Sequence, residues 1–543
     1  MVFARRSTTL LAAIIASCAM VLSLTACTSD NKTVVDGQTT VTSNSAGGVA
    51  VFTPSDGITL NQQMPLNKWA KLVPDLTKAL VDAGFKKGDI NHTTSDSLDK
   101  QSRAIQDFVV DHLSNNTTDD SGIAIAPDNM TLLVAPVVEA DASTRQYGDY
   151  ASQNLSTNDV TDEGATSDGE SSEDDSSKDD SSNTESDSTA SDEQAQAVDR
   201  LVSSLKLAKE SGMHVVLLGN SIEGYKPDAF VKFSDAQTIG KLQAEKMVSK
   251  LKLDKASKDN PKYIEVLLPY TAMDEKGNAN DSTFAQEAFR GIWQVLGSYY
   301  QKGVVESPSG TLDGKSTEND WQAVAYDAAK EGSTAKVLDK RLAKTDGQST
   351  LTRIDGIITM NDYIASEVVK ELDDLGYTGS AADINPQITI SGIVGNITGK
   401  KDLSRDAVPD PIKSPENDNA NDSSSSDDDA DEDTSASDKD RDSQWPLVTG
   451  YGAYVSNIPS IVNGKQWMTG MEDRQTIATD IAQACAKLNK DEALNSMPSI
   501  RNSEVGGVKK IPTISEPLLA VSASNLKSAL IDPGYISLAD AGL

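Results

Sequence analysis

Cysteine is nearly absent from this chain of 543 residues, which contains only Cys18, Cys27 and Cys485. Cys18 lies inside an apolar run at the N-terminus and Cys27 lies just after it, so Cys485 has no partner within the rest of the chain. Small secreted proteins often depend on disulfide frameworks, and none can form here. A large folded part must therefore be stabilised by an apolar core.

The chain also lacks the residue patterns of common catalytic sites. Its three histidines, His92, His112 and His214, are too far apart for an HExxH or clustered zinc motif. There is no GxSxG nucleophile elbow. Gly314-Lys315-Ser316 matches only the end of a phosphate-binding loop, because Ser309 stands where the first glycine would be. We therefore predict a protein that is not an enzyme and that carries no metal and no cofactor.

Basic patches interleaved with aromatic residues are missing as well, and the formal net charge is -33. Nucleic acid is therefore excluded as an expected partner. Much of the negative charge lies in two segments rich in Ser, Asp, Glu and Asn, from Asp159 to Glu193 and from Glu416 to Asp442. Such segments cannot bury enough apolar surface to offset the entropy of ordering. We predict two long disordered acidic insertions, at about residues 151–193 and 412–443.

The N-terminus has the pattern of a bacterial lipoprotein signal peptide. Arg5-Arg6 precedes an apolar run from Leu10 to Leu24, and Leu24-Thr25-Ala26-Cys27 resembles a lipoprotein cleavage site. The pattern predicts a signal peptide over residues 1–26, a diacylated Cys27, and a flexible tether over residues 27–48. The alternative is an ordinary secretory peptide cut at Ala26, which leaves Cys27 as a free thiol. No later apolar run is long enough to span a bilayer, so we expect a lipid-anchored protein on the extracytoplasmic face of the cell membrane.

The remaining chain alternates short apolar runs with amphipathic helical patterns. Continuous Val, Ile and Leu runs between helices indicate strands covered on both faces, and hence parallel sheets with crossover helices. The predicted strands are Val49 to Phe52, Met130 to Val134, Val215 to Leu218, Tyr263 to Leu268 and Ile354 to Thr359. The predicted helices are Lys68 to Ala83, Lys100 to Leu113, Gln194 to Glu210, Thr238 to Leu251, Phe284 to Tyr300, Asp320 to Leu338 and Ala365 to Leu375. This number of units favours two α/β lobes, whose ligands bind beyond the carboxyl ends of the strands.

Several segments resemble motifs of the type I periplasmic binding proteins, in particular those for xylose-like and related sugars. They are Met213 to Asn220, Ala229 to Asp235, Ile239 to Ala244, Ile354 to Asp362, Thr449 to Thr469 and Leu530 to Tyr535. The resemblance implies two Rossmann-like lobes joined by a hinge. It places residues 49–235 mainly in lobe 1 and residues 236–470 mainly in lobe 2, and residues 471–543 return to lobe 1 and end in a hinge and lobe 2 segment. It also implies a sugar held between the lobes and an ABC transporter permease as partner.

The resemblance implies ligand contacts at Trp69, Asn280, Asn361 and Asp362. The family's Asp-Arg pair is replaced here by Asn220-Ser221, its next aspartate by Gly452, and a lysine by Glu472. These changes remove most charged donors, so binding of ordinary pentoses and hexoses should be weak or absent. The alternatives without a ligand are a core role for Trp69, helix capping by Asn361-Asp362, an exposed loop at Asn280, and an ion pair of Glu472 with Arg474 or a neighbouring Lys.

The predicted function is the substrate-binding component of a sugar ABC transporter, carried as a lipoprotein. The alternative is a sensing or interaction lipoprotein of the same fold that no longer binds a sugar. Adjacent permease and ATPase genes would distinguish the first from the second.

Overall fold

The computed structural model describes residues 34–35, 38–39, 46–55, 65–115, 125–138, 144–156, 185–273, 280–328, 330–343, 350–382 and 444–543. The predicted signal peptide, Cys27 and most of both acidic segments lie outside the described residues. The chain forms two compact units, Met1–Asn44 and Ser45–Leu543. In the first unit, β1 (Val34–Val35) pairs antiparallel with β2 (Gln38–Thr39).

A seven-stranded sheet forms the first of two main sheets in the second unit. Its order is β17-β18-β9-β7-β5-β3-β4, and all its pairs are parallel except the β17–β18 hairpin. Its strands are β3 (Gly48–Pro54), β4 (Ile90–Ser95), β5 (Met130–Val134), β7 (His214–Leu218), β9 (Ala229–Lys232), β17 (Ile500–Val505) and β18 (Val508–Ser515).

The second main sheet has four parallel strands in the order β12-β10-β14-β15. They are β10 (Lys262–Val266), β12 (Val305–Glu306), β14 (Gly356–Ile358) and β15 (Leu447–Val448). Three short pairs complete the strands: β6 (Asn154–Leu155) with β8 (Ser221–Ile222), β11 (Leu268–Pro269) with β13 (Ala325–Tyr326), and β16 (Met468–Met471) with β19 (Leu519–Ser522).

Helices connect the parallel strands, as the alternation of patterns predicts. They are α1 (Trp69–Asp82), α2 (Leu98–Asn115), α3 (Glu185–Glu210), α4 (Ala236–Leu251), α5 (Thr283–Gln301), α6 (Trp321–Val324), α7 (Ser333–Arg341), α8 (Asp362–Leu375), α9 (Ile458–Val462) and α10 (Arg474–Leu488). Short 3-10 turns occur at Lys87–Asp89, Pro127–Asn129, Thr144–Tyr147, Leu253–Lys255, Val455–Asn457 and Leu494–Ser496, and a π-helical turn at Lys527–Ile531.

The apolar runs explain how each sheet is covered. Along β7, Val216 and Leu218 enter one hydrophobic cluster, and Val215 and Leu217 enter another on the opposite face. A strand buried on both faces needs a continuous apolar run, because successive side chains alternate between the faces. The four-stranded sheet has its own cluster, which includes Ile264, Val266, Ile357 and Ile358. The predicted α/β class with mostly parallel sheets is therefore confirmed.

The chain passes between the two main sheets three times. It leaves the first sheet after β9 to enter α4, returns from β16 into α10, and leaves again from β18 into β19. These three crossovers, which we call the hinge, connect the part built on the seven-stranded sheet, called lobe 1, with the part built on the four-stranded sheet, called lobe 2.

Two helix predictions differ from the structure. The predicted helix from Asp320 to Leu338 is interrupted: α6 ends at Val324, β13 pairs with β11, and α7 begins after Gly332. Gly332 has φ +67, a left-handed conformation that breaks a helix and that glycine adopts readily. Helix α3 begins at Glu185, so it includes the last residues of the segment predicted to end at Glu193.

Candidate functional site

Asn361 lies three residues after the end of β14 and is fully buried. It is the N-cap of α8, and its side-chain oxygen accepts a hydrogen bond from the Ile364 amide at 2.9 Å. An asparagine at this position satisfies one of the free N–H groups at the start of a helix. Its amide nitrogen remains available and donates to Gln146 Oε1 at 3.2 Å. Asn361 therefore has a capping role and also faces the space between the lobes.

Asp362 is the next residue, and protein donors surround its carboxylate. Gln466 Nε2 donates to one oxygen at 2.7 Å, and the Tyr454 amide and the Thr469 hydroxyl each donate to the other at 2.9 Å. The side chain is fully buried. Burial raises its pKa to about 6, although the hydrogen bonds oppose the shift. In this form Asp362 holds the loops after β15 in place.

Trp69 opens α1 and is 2% exposed. Its ring packs edge-on against Tyr150 at 5.1 Å and against Phe233 at 5.6 Å, measured between ring centroids. Such aromatic pairs stabilise a structure beyond the area that they bury. The indole therefore lies at the interlobe end of the lobe 1 core, and in this form Tyr150 occupies the position beside it.

Asn280 lies apart from these contacts. Its side-chain amide donates to Thr271 O at 2.8 Å, and its main-chain N–H donates to Ala272 O at 2.9 Å. The Tyr270 hydroxyl donates back to Asn280 O at 3.1 Å. Asn280 is partly buried and lies shortly before α5. The structure thus brings together Asn361 and Asp362, whereas Trp69 belongs to an aromatic cluster with Tyr150 and Phe233.

The sequence reasoning missed a polar cluster at the hinge. Glu472 lies just after β16, and one of its carboxylate oxygens accepts hydrogen bonds from the Ser234 amide at 2.7 Å, from the Ser234 hydroxyl and from the Tyr451 hydroxyl at 3.3 Å. Ser234 belongs to the first crossover and Glu472 to the second. The expected pair with Arg474 is not formed, because Arg474 Nε instead donates to Asp75 at 2.5 Å.

Burial sets the protonation of this hinge cluster. Glu472 is 2% exposed, and burial raises its pKa to about 7 against the opposing hydrogen bonds from Ser234 and Tyr451. The negative charge of Asp235 raises it further. Burial also raises the pKa of Tyr451 well above its usual value, and Glu472 adds to the shift. The hinge carboxyl group therefore titrates close to neutral pH.

Residues 144–156, which follow β5, lie between the two lobes; we call them the interlobe segment. On one side Gln146 contacts Asn361, and Tyr147 packs against Phe284 with 4.7 Å between ring centroids. On the other side Tyr150 packs against Trp69 and Phe233. The sequence of this segment is polar and lies beside an acidic stretch, so it did not predict a position between the lobes.

No cluster of His, Cys, Asp and Glu among the described residues has the arrangement of a metal site. His92 contacts Thr53 at 2.9 Å, and Cys485 is buried in the lobe 1 core.

No helix in the described part of the chain has the length and apolarity that a membrane crossing requires. A surface groove of about 600 Å³ lies between α1 and α10. It lies outside the interlobe contacts and is lined by Asp75, Lys78, Asp82, Gln475, Thr479 and Gln483 among others.

Solved structures similar to this chain include solute-binding proteins of sugar transporters, the class that the sequence motifs resemble. An ABC transporter solute-binding protein from Clostridium phytofermentans with bound β-D-glucose is 17% identical, with a TM-score of 0.45 over 91% of this chain and 99% of that one. A carbohydrate transporter solute-binding protein from Chloroflexus aurantiacus with D-glucose is 17% identical, with a TM-score of 0.45 over 92% and 98%. A periplasmic ribose ABC transporter protein from Conexibacter woesei is 13% identical, with a TM-score of 0.42 over 90% and 96%. No family model and no curated protein matches the chain.

Proposed function

We propose that this protein is an extracytoplasmic solute-binding protein, anchored through a lipid on Cys27, in which two hinged lobes close on a neutral sugar or polyol. The observation that supports the proposal is the convergence of strand ends. Asn220 follows β7, Ser234 follows β9, Asn361 follows β14, and Tyr451 follows β15, and all four are buried between the sheets. Ligands of open parallel sheets bind at the carboxyl ends of the strands, where these residues lie.

The chemistry of the interlobe residues favours a neutral ligand. Asn361 and Ser234 offer amide and hydroxyl groups, which hydrogen-bond to sugar hydroxyls. Lys68, a cation near the interlobe residues, is already paired with Asp149 at 2.7 Å. The carboxylates of Asp362 and Glu472 are buried among protein donors. A charged solute would lack a counter-charge here, and burying an unpaired charge is strongly unfavourable.

Delivery of the solute to an ABC transporter permease belongs to the same proposal and is supported by the sequence resemblance. The proposal includes no catalytic step. Nucleic acid is not an expected partner, given the acidic charge of the chain.

A thermal-shift screen tests the solute class. A ligand that binds the folded state raises the melting temperature by mass action. A pentose, hexose or polyol that raises it, and whose effect is lost in Asn361→Ala but kept in the exposed control Asn319→Ala, is the expected result. If every neutral sugar gives the same shift in both variants, the assignment of the site is wrong.

A second function is supported by a specific feature of the site. Trp69 and Asn361, two predicted contacts, are both engaged by the chain's own residues. This favours a sensing or interaction lipoprotein that keeps the two-lobe fold without importing a sugar. The genes beside this one distinguish the two: an adjacent permease and ATPase support import, and their absence supports the second function.

A further inference from the structure

The interlobe segment inserts one tyrosine into the core of each lobe. Tyr147 is 1% exposed and belongs to the hydrophobic cluster of the four-stranded sheet, where its ring lies near Phe284 and Tyr451. Tyr150 is also 1% exposed and belongs to a cluster of the seven-stranded sheet, where its ring stacks on Phe233 at 4.8 Å. The two tyrosines are three residues apart in the sequence, and their rings pack against opposite lobes. A surface loop that only passes a cleft does not bury side chains in both walls.

Polar contacts fix the same segment to lobe 2. Gln146 uses both its groups there: its side-chain oxygen accepts from Asn361 Nδ2 at 3.2 Å, and its main-chain oxygen accepts from the Tyr454 hydroxyl at 2.7 Å. Asn361 is one of the positions predicted to hold a ligand. The amide of Gln146 therefore takes a hydrogen bond that a solute would otherwise receive.

Polar contacts with lobe 1 are more numerous. The Asp149 carboxylate accepts from Lys68 Nζ at 2.7 Å and from the Trp69 amide at 3.0 Å. The Tyr150 hydroxyl donates to Lys68 O at 2.5 Å. Further along, the Gln153 amide donates to Asn220 Oδ1 at 3.0 Å. Asn220 replaces the first residue of the family's Asp-Arg pair, so the segment engages this position as well.

The interlobe segment can approach lobe 1 closely because residue 148 is a glycine. Its φ is +90, and a Cβ built there would lie 2.7 Å from Asn67 O and 2.9 Å from Asn67 Cβ. A side chain at this position would be strained by the φ and would collide with lobe 1. Gly148 therefore offers a substitution that weakens the seating of the segment without removing a core side chain.

We infer that the interlobe site takes a peptide, and that residues 144–156 of the same chain are its occupant in the closed form. The inference rests on the proposed function in one respect, namely that the lobes hinge and that a solute enters between them. The recognised chemistry is a turn-forming peptide with two aromatic side chains three residues apart, flanked by an amide and a carboxylate. A sugar binds only the fraction of molecules from which the segment has withdrawn, so its apparent affinity is reduced by that fraction.

The test uses the full chain with Gly148→Ala, with Gln146→Ala/Tyr147→Ala, and with Gly507→Ala as the matched control. Gly507 also has a positive φ of +77, and a Cβ there meets nothing within 4 Å. Gly148→Ala keeps every core side chain and so remains informative if the double variant does not fold. The measurements are the radius of gyration by small-angle scattering and the melting temperature with and without a synthetic peptide of residues 144–156.

The inference predicts that both cleft variants have a larger radius of gyration than the wild type and than Gly507→Ala. Added peptide, at about 100-fold its Kd, is expected to restore the smaller radius and to raise the melting temperature of the double variant by several degrees. The wild type should not respond, because its site is already filled. Unchanged scattering in both variants, or a wild type that takes the peptide as well as the variants do, overturns the inference.

A sugar titration separates this inference from the proposed function. Loss of one buried hydrogen bond corresponds to about a tenfold change in an equilibrium constant, so sugar affinity should rise at least about tenfold in the cleft variants. Equal sugar affinity in the wild type and the variants refutes the occupant and leaves the sugar function standing. Variants that open and accept the peptide but bind no sugar support the occupant and refute the sugar function.

Discussion

Replacing Glu472 by glutamine should remove a pH dependence of stability that originates at the hinge. The folded pKa of Glu472 is raised to about 7 from an ordinary value of 4.5, chiefly by burial. Above pH 7 the folded protein must keep a charged carboxylate out of water. Below about pH 4.5 the group is protonated in both the folded and the unfolded state.

The sign follows from the number of protons bound by each state. Between pH 4.5 and 7 the folded state binds the proton and the unfolded state does not, so the free energy of unfolding falls as the pH rises. The difference of 7 from 4.5 corresponds to about 3 kcal/mol in total, lost at up to about 1.4 kcal/mol per pH unit. Burial is the largest cause of this shift, the hydrogen bonds from Ser234 and Tyr451 oppose it, and the charge of Asp235 adds to it.

Urea unfolding at pH 5, 6, 7 and 8 measures the effect. We expect the wild type to lose stability across this series and Glu472→Gln to lose about 3 kcal/mol less. Glu245→Gln is the control, because the Glu245 side chain is 53% exposed. Tyr451→Phe removes a donor to the ionised carboxylate, so it should make the decline extend to higher pH.

A Glu472→Gln profile parallel to that of the wild type would refute the reasoning. It would mean that Ser234 and Tyr451 stabilise the charged form enough to cancel the effect of burial. A decline that persists in Glu472→Gln but vanishes in Asp362→Asn would assign the titration to the other buried carboxyl group.

Substitutions at three further positions have defined outcomes. Trp69→Ala should lower the free energy of unfolding by about 3 to 5 kcal/mol, and Trp69→Phe by less, because the indole is buried between two aromatic rings; urea unfolding that shows no loss for Trp69→Ala would contradict the buried position. Asp362→Ala should destabilise by more than the about 1 to 3 kcal/mol typical of one unpaired donor, since three donors lose their acceptor; a neutral result in the same assay would contradict the network. Cys27→Ala should abolish labelling by a clickable fatty acid and release the protein into the medium, and label that persists on this variant would exclude the lipid anchor.

The parts of the fold that the sequence predicts best are the strands buried on both faces. Met130–Val134 forms over the predicted residues, and His214–Leu218 extends the prediction by one, because apolar runs flanked by helical patterns leave few alternatives. Edge strands were missed for the opposite reason. Ile90–Ser95 has the sequence INHTTS and is largely exposed, so it carries no apolar signal. Its pairing with β3 depends on main-chain hydrogen bonds, which any sequence can make.

The site was harder to predict because its contacts join distant parts of the chain. Ser234 and Glu472 are 238 residues apart, and neither is distinguishable from a surface residue by its neighbours in sequence. The motif resemblance located Asn361 and Asp362 but could not show whether a ligand or a protein group would bind them. The helical spacing of Trp69 with Leu72 and Leu76 is equally compatible with a core residue and with a ligand platform. The contact between the indole and Tyr150 of the interlobe segment shows that Trp69 is a core residue in this structure.

The interlobe segment also explains why simple sugars should bind weakly. Fully burying an aromatic or aliphatic side chain contributes about 1.5 to 3 kcal/mol, and both Tyr147 and Tyr150 are buried. A sugar with an intrinsic Kd near 1 mM gains only about 4 kcal/mol on binding. Such a sugar would barely offset the withdrawal of both rings, before the contacts of Gln146 and Asp149 are counted. An effective solute must therefore bind the open lobes much more tightly than this, or a partner must first draw the segment out of the cleft.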